Sequence, residues 1–318
     1  MLVSNTLGNG WVIPADDAAV TAATDLLRGG QIVAIPTETV YGLAADANNA
    51  DAVAHIYAAK GRPDFNPLIV HVPDKAAAEK LAVFDALAER LAAAFWPGPM
   101  TLILPLRDDA PVTKAVTAGL LTIAIRCPAH PVMQAVLAKS RLNLAAPSAN
   151  KSGGISPTRA AHVLASLGGA VPMILDAGPC AAGLESTIVA VREEGWQILR
   201  PGPVTADAIA GVAGSPPIVA SDAKIEAPGQ LASHYAPSKP LRLNAKAAKA
   251  GEYLIGFGQI AGDDTLSASG DLAQAAAHLF EALHNADASD CASIAVAPIP
   301  QEGIGAAIND RLARAAAR

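Results

Sequence analysis

Ile32-Val33-Ala34-Ile35-Pro36-Thr37-Glu38-Thr39-Val40-Tyr41-Gly42-Leu43 is the stretch from which the rest of the chain can be read. Four apolar, mostly β-branched residues in a row read as a buried strand. Pro36 has no N–H to give to a sheet ladder, so the strand stops there. The chain then turns polar through Thr37, Glu38 and Thr39 before Tyr41 and a conformationally permissive Gly42. In open α/β sheets small ligands bind beyond the C-terminal ends of strands. A polar turn at such an end is therefore either an ordinary turn or one wall of a site.

Working outward, residues 16–27 read as a helix closed by Arg28-Gly29-Gly30. Further helices are expected over 46–59, 75–95, 130–139 and 157–167, the longest of them clearly amphipathic. Strands are expected at 68–72, 101–106, 121–126, 142–146 and 173–176, with a hairpin of 186–191 and 196–199 about Arg192-Glu193-Glu194-Gly195. Units of strand and helix mixed with hairpins predict an α/β fold with a twisted mixed sheet, ending near 212. Residues 213–240 lack periodicity and are rich in Gly, Pro, Ser and Ala, as a linker is. They nevertheless hold Ser233-His234-Tyr235, which a passive spacer does not need, and long ordered loops are usually functional. Strands at 241–243, 253–257 and 293–297, with helices over 270–286 and 304–317, predict a smaller Rossmann-like second domain at 241–318. Gly256, Gly258 and Gly262 are spaced GxGxxxG rather than GxGxxG, which argues against a dinucleotide site.

The chain has 318 residues, 52% of them hydrophobic, enough for two domains with separate cores. Only 16% are charged and the net charge is -6, so no global electrostatic footprint for nucleic acid is present, although a local basic patch stays open. Mean hydropathy is +0.32, but no apolar run approaches the roughly 20 residues of a membrane helix, and alanine carries much of the value. No signal peptide is visible at the N-terminus, and Cys127, Cys180 and Cys291 form no CxxC pair. A reduced, cytoplasmic protein is expected.

Several further stretches repeat the pattern of the first: Lys60-Gly61-Arg62-Pro63, Arg126-Cys127-Pro128, Ser148-Ala149-Asn150-Lys151, Glu185-Ser186-Thr187 and Arg200-Pro201-Gly202-Pro203. Each alone fits a solvated loop. Together they put Lys60, Arg62, Arg126 and Arg200 beside hydroxyls in a chain poor in charge. Arginine forks and a lysine point charge suit a polyphosphate or a carboxylate, so the set reads as an anionic small-molecule site. A Walker loop and HExxH are absent, and the seven histidines are scattered, against zinc. Ser148-Ala149-Asn150-Lys151 matches SxxK, but its companion KTG is missing.

Pro36 through Leu43, Lys60-Gly61-Arg62-Pro63, Asn66-Pro67-Leu68-Ile69-Val70-His71, Trp96-Pro97-Gly98-Pro99-Met100-Thr101 and Ala146-Pro147-Ser148-Ala149-Asn150 together resemble the YrdC/Sua5 family. The likeness continues through Glu185-Ser186-Thr187-Ile188 and Leu199-Arg200-Pro201-Gly202-Pro203. His234-Tyr235-Ala236-Pro237 and the second domain are similar to the long Sua5 form. The resemblance implies a threonylcarbamoyl-AMP synthase, a nucleotidyltransferase of the tRNA t6A pathway that uses ATP, L-threonine and bicarbonate and releases pyrophosphate. It implies threonine contacts at Thr39, His71, Arg126 and Ser186, and ATP contacts at Arg62, Asn66, Thr117, Ser148, Ser156, Arg200 and Tyr235. Lys60 with Arg62, and Ser148 with Asn150, match the family's KxR…SxN signature, with Lys60 and Arg62 expected in catalysis and Asn150 among the ATP contacts. Mg²⁺ is implied with ATP, no metal site of the protein's own, and no organic cofactor. The 213–240 linker is expected to fold back over the site as a lid, because Tyr235 belongs to it. A downstream threonylcarbamoyl transferase complex is the implied partner, with weak tRNA binding left open and no membrane partner. An RNA-binding module and a carbamoyl-transfer enzyme of the hydrogenase-maturation type are the alternatives.

Overall fold

The structure, a computed structural model, describes residues 11–63, 65–218, 226 and 234–317. The first unit begins with β1 (Trp11–Pro14), α1 (Asp17–Arg28), β2 (Val33–Ile35), β3 (Gly42–Asp46), α2 (Ala50–Lys60) and β4 (Ile69–His71). It continues with α3 (Lys75–Ala78), α4 (Ala86–Phe95), β5 (Met100–Pro105), α5 (Lys114–Thr117), β6 (Thr122–Arg126) and α6 (Pro131–Ser140). Then come β7 (Leu144–Ala145), α7 (Ala160–Leu167), β8 (Met173–Asp176), β9 (Thr187–Arg192), β10 (Gly195–Arg200) and α8 (Ala206–Ala213). The second unit consists of β11 (Leu241–Arg242), β12 (Glu252–Gly256), β13 (Asp264–Thr265), α9 (Leu272–Ala288), β14 (Ser293–Val296) and α10 (Gly305–Ala316).

Ten strands of the first unit form a mixed sheet in the order β1-β8-β2-β3-β7-β4-β6-β5-β9-β10. Strand periodicity sorts its side chains onto two faces. Val33 and Ile35 face α1 and α6 and share a core with Ala23, Leu27, Val136 and Leu137. Ala34, Val70, Ile123, Ile125 and Val189 point the other way, into the main core with Val53, Ile56 and Leu91. Ile69, Ala124, Ile188 and Ala190 form a small cluster on the face that carries the site. The same alternation puts His71 beside Ile69 and Arg126 beside Ala124.

Three differences from the sequence reading have physical causes. The expected helix over 46–59 begins only at Ala50, because Asp46 still pairs with β7 as the end of strand 42–46 and Asn49 caps the helix. Ala44 and Ala45 carry no strand preference of their own, so tertiary pairing decides the matter. The expected helix over 75–95 is two helices. Val83 N bonds Pro105 O and Ala82 bridges Leu106, while the Asp85 carboxylate accepts from Ala88 N and caps α4. The strand expected from 121 starts at Thr122, and Leu121 is 87% exposed. β1, α5, α8 and β13 were not anticipated.

The second unit's strands run parallel in the order β11-β14-β12-β13. Its glycine run serves packing: a Cβ on Gly256 would strike Ile260 O, and one on Gly262 would strike Leu254 O. The two units are joined by more than the linker. Val40, Ile155 and Leu184 belong to the core built around Leu279, Phe280 and Ile308. Gly183, at φ 68°, lies against the α9 backbone so closely that a Cβ would collide with Ala277.

Candidate active site

The polar turn after β2 is held by its own hydroxyls. Thr37 Oγ1 donates to Val40 O (2.7 Å) and accepts from Thr39 N (3.1 Å), Val40 N (3.2 Å) and the Thr39 hydroxyl (2.8 Å). Thr37 therefore builds the turn, and Thr39 faces Arg126. His71 and Arg126 end β4 and β6, which run parallel with these two residues in register. Arg126 is directed at three points: Nη1 donates to Thr39 Oγ1 (2.8 Å), Nε to Gly98 O (3.2 Å), and Nη2 lies 2.6 Å from Glu38 Oε1. Burial pushes the Glu38 carboxyl up, and Arg126 beside it more than offsets this, holding it below the usual carboxylate range. Burial and the Arg126 charge take His71 down to about 3, so its imidazole is neutral near pH 7.

On the other side, β9 and β10 bring in Ser186 and Arg200. Arg200 donates to Ser186 O from Nε (3.1 Å) and Nη2 (2.9 Å), and from Nη2 to Ser186 Oγ (3.1 Å). Ser186 Oγ also lies 2.7 Å from Thr101 Oγ1. Arg62 follows the left-handed Gly61 that stops α2, and bonds Pro67 O (3.0 Å) and Asn66 O (3.4 Å). Burial lowers Arg62 to about 10, which leaves it charged at neutral pH. Tyr235, with φ 63°, folds back over this end, and Ala236 N bonds Gly153 O (2.9 Å).

These residues line one cavity: Thr39, Arg62, His71, Arg126, Ser148, Ser186, Arg200 and Tyr235, joined by Thr37, Glu185 and His234. The space open to the centre of a water molecule is about 50 Å³. That is room for roughly four waters. His71 Nδ1, His234 Nδ1 and Tyr235 Oη have no hydrogen-bond partner among the described residues. Buried polar atoms are almost always satisfied, so this grouping marks a place for a polar ligand.

Five sequence-expected residues do not line the cavity. Lys60, 2% exposed, sits behind its wall and donates to Ser148 O and Asn150 O, each at 2.5 Å. Burial, with Arg62 adding to it, drives its amine far below the ordinary lysine range. Asn150 stitches its own loop by donating to Lys151 O and Gly154 O, both at 2.9 Å. The Ser156 hydroxyl bonds Glu185. Thr117 ends α5 and donates to Lys114 O (3.3 Å). Asn66 is linked to that helix through the Tyr57 hydroxyl, 3.2 Å from Asn66 O and 3.0 Å from Ala115 O. Of the linker, only Tyr235 and His234 reach the cavity within the described residues; Ser233, 219–225 and 227–232 lie outside them. Glu185 and His234 were visible only as members of motifs, with nothing in the sequence to assign them a wall.

A family model described as "Telomere recombination" (Sua5_yciO_yrdC) matches residues 25–202. The chain belongs to the Sua5/YrdC family. A second model, "Threonylcarbamoyl-AMP synthase, C-terminal domain", matches residues 204–317, so this is the two-domain Sua5 form. The threonylcarbamoyl-AMP synthase of Bacillus subtilis (strain 168) is 40% identical over 96% of this chain and 94% of its own. The crystal structure of Pyrococcus abyssi Sua5 complexed with L-threonine superposes with a TM-score of 0.87 at 34% identity, covering 98% of both chains. A structure of the same P. abyssi protein with a His-to-Ala, Tyr-to-Ala double substitution also gives 0.87 at 34% identity, over 96% of both chains. The RNA-binding and hydrogenase-maturation alternatives are not favoured by these comparisons. Among the described residues no helix is long and apolar enough to cross a membrane.

Proposed function

We propose that the protein is an L-threonylcarbamoyladenylate synthase, a nucleotidyltransferase that forms threonylcarbamoyl-AMP and pyrophosphate from L-threonine, bicarbonate and ATP. The observation that carries this reading is that Arg126, His71, Thr39 and Ser186 line one cavity together with Arg62, Ser148 and Arg200. The first four are proposed to take threonine. Arg126, oriented by Glu38 and Gly98 O, has N–H groups left to fork onto the α-carboxylate. Neutral His71 and the Thr39 and Ser186 hydroxyls suit the amine and side-chain hydroxyl.

The chemistry balances in two steps. The neutral amine of threonine adds to the bicarbonate carbon and water leaves, giving the N-carboxylate. That carboxylate then attacks the α-phosphorus of ATP, and the bond to the β-phosphate bridging oxygen breaks to release pyrophosphate. Such a transfer needs positioning and charge neutralisation more than a covalent catalyst. Arg62 and Arg200 are proposed to supply that charge from the cavity wall. Lys60 acts from behind it, by holding the carbonyls of Ser148 and Asn150, rather than by lining the site. No residue is assigned as a dedicated general base. Magnesium belongs to the MgATP substrate. Among the described residues no cluster of three or more His, Cys, Asp or Glu is placed to bind a metal, and Glu38 and Glu185 are each held by an arginine.

Asn66, Thr117, Asn150 and Ser156 are proposed to shape the ATP end, Asn66 and Thr117 from the α5 side. An outward shift of His234 and Tyr235 is proposed to admit ATP, in keeping with a lid that shields a hydrolysable mixed anhydride. Such a product has to be consumed by a transferase that moves the threonylcarbamoyl group to an acceptor, here tRNA. The test is to incubate the protein with MgATP, bicarbonate and L-threonine and follow pyrophosphate. Release that depends on both threonine and bicarbonate is expected. Release indifferent to either one overturns the assignment.

A further inference from the structure

Helix α10 carries a charge on its buried face. Ala307, Ile308, Leu312 and Ala315 pack into the second core, and Arg311 lies among them at 0% exposure. A guanidinium stripped of water has to have its donors met elsewhere. Here they are met largely by the other unit. Nε donates to Glu185 Oε2 (2.8 Å) and Nη2 to Pro201 O (2.9 Å), while Nη1 donates to the neighbouring Asp310 (2.6 Å). The guanidinium carbon lies 5.1 Å from the centroid of the Tyr235 ring. One turn on, Arg314 O accepts from His234 N (3.3 Å). Glu185, His234 and Tyr235 all line the cavity, and Pro201 follows Arg200, which does too.

We propose that Arg311 is a positioning residue for the reaction. From the second unit it fixes the Glu185 carboxylate, the backbone beside Arg200 and the Tyr235 ring, and so shapes the ATP end of the cavity. The inference rests on the activity proposed above and assigns the second unit a part in it. The physical need is specific. Glu185 is buried, and burial alone pushes its carboxyl up; Arg311 and then Arg200 are the cations that keep it charged. With Arg311 gone, Arg200 is the cation left to compensate it. The carboxylate then turns toward Arg200 and competes with phosphate oxygens for that guanidinium. Of the residues proposed for threonine, Thr39, His71 and Arg126 have no hydrogen bond or ion pair with Arg311 among the described residues, while Ser186 follows Glu185 in the chain.

The experiment compares the full-length protein with R311M and R311K. It measures pyrophosphate release against ATP and against threonine, threonine affinity in the absence of ATP by calorimetry, and melting temperature. For R311M, KM for ATP is expected to rise about tenfold or more while threonine affinity moves less than about threefold, with R311K between it and the parent. An unchanged KM for ATP overturns the inference. So does a parallel loss at both substrates that tracks a lowered melting temperature, because that is what a purely structural arginine gives. If R311M does not fold, R311K decides: it keeps the charge but loses the fork, and a rise of about threefold in KM for ATP is expected. R311K indistinguishable from the parent overturns the inference while leaving the activity assignment intact. A parent protein that makes no adenylate overturns both.

Discussion

The two ends of the cavity are built by different means. At the end proposed for threonine, His71 and Arg126 stand opposite each other in register on one parallel strand pair, and Thr39 stands on a turn tied by Thr37. Backbone register sets their spacing. At the end proposed for ATP, Glu185, Arg200 and Tyr235 come from separate segments, and Arg311 of α10 contacts Glu185, the residue after Arg200 and the Tyr235 ring. The first wall survives as long as the sheet does. The second involves contacts between two units, so it is the one proposed to open for a large substrate.

The sharpest way to break this contrast is at the rigid wall. Arg126→Lys keeps a charge but cannot serve Glu38, Gly98 O and Thr39 together while forking onto a carboxylate. Removing one partner of a buried, hydrogen-bonded pair costs about 2–5 kcal/mol, which sets an expected loss of roughly 30-fold to 5000-fold in kcat/KM for threonine. KM for ATP should change little. Threonine titrations at saturating ATP check this, and a variant within threefold of the parent would remove Arg126 from the threonine site.

Acid should separate the two ends in the opposite order. His71 on the sheet wall and His234 on the docked wall are each taken down to about 3, in both cases chiefly by burial. Between the units, His162, also taken to about 3 and also chiefly by burial, stacks on His284 at 3.9 Å. These rings are neutral when folded, whereas an unfolded histidine protonates near pH 6.5. Folded pKa values below unfolded ones mean that the stabilisation is fully present above about 6.5 and is lost as pH falls toward 3. From pH 7 to 5 the melting temperature should drop by roughly 5–10 °C. Because most of these rings lie on the docked side, KM for ATP should rise before threonine affinity falls. A melting temperature flat across that range would show that the rings are solvated.

The same contrast explains what the sequence disclosed. The sheet-borne wall of the cavity was legible because a strand's apolar run, its proline stop and the polar residues just beyond it are all local signals. Thr39, His71 and Arg126 each stand at or just past the end of such a run. Misreadings arose where long-range pairing overrode local pattern, as in the alanine-rich strand 42–46 and the break at 81–85. The Lys60 amine reads as a phosphate ligand from its motif, yet in the fold it is consumed by two carbonyls nearly ninety positions away. Arg311 offered one clue, an arginine in register with Ile308 and Ala315 on an apolar stripe. Its partner Glu185 lies 126 residues earlier, which no local pattern can reach.

The smallest effect should come from the rim of the same interface. Arg159 on the approach to α7 and Glu281 on α9 form a forked pair of 2.6 and 3.1 Å, three residues before His162 and His284 respectively. It looks like a clasp, but its side chains are 41% and 31% exposed, unlike Arg311 and Glu185. Water screens both charges, and holding two long side chains in one geometry costs entropy, so such a pair contributes about 0–1 kcal/mol. Glu281→Gln should therefore lower the melting temperature by no more than about 2–4 °C and leave KM for ATP within about twofold. Raising the salt concentration should erase even that difference, since exposed pairs are screened and buried ones are not. If Glu281→Gln instead matched Arg311→Met in its effect on ATP, docking as a whole rather than the Arg311 contacts would set the ATP wall.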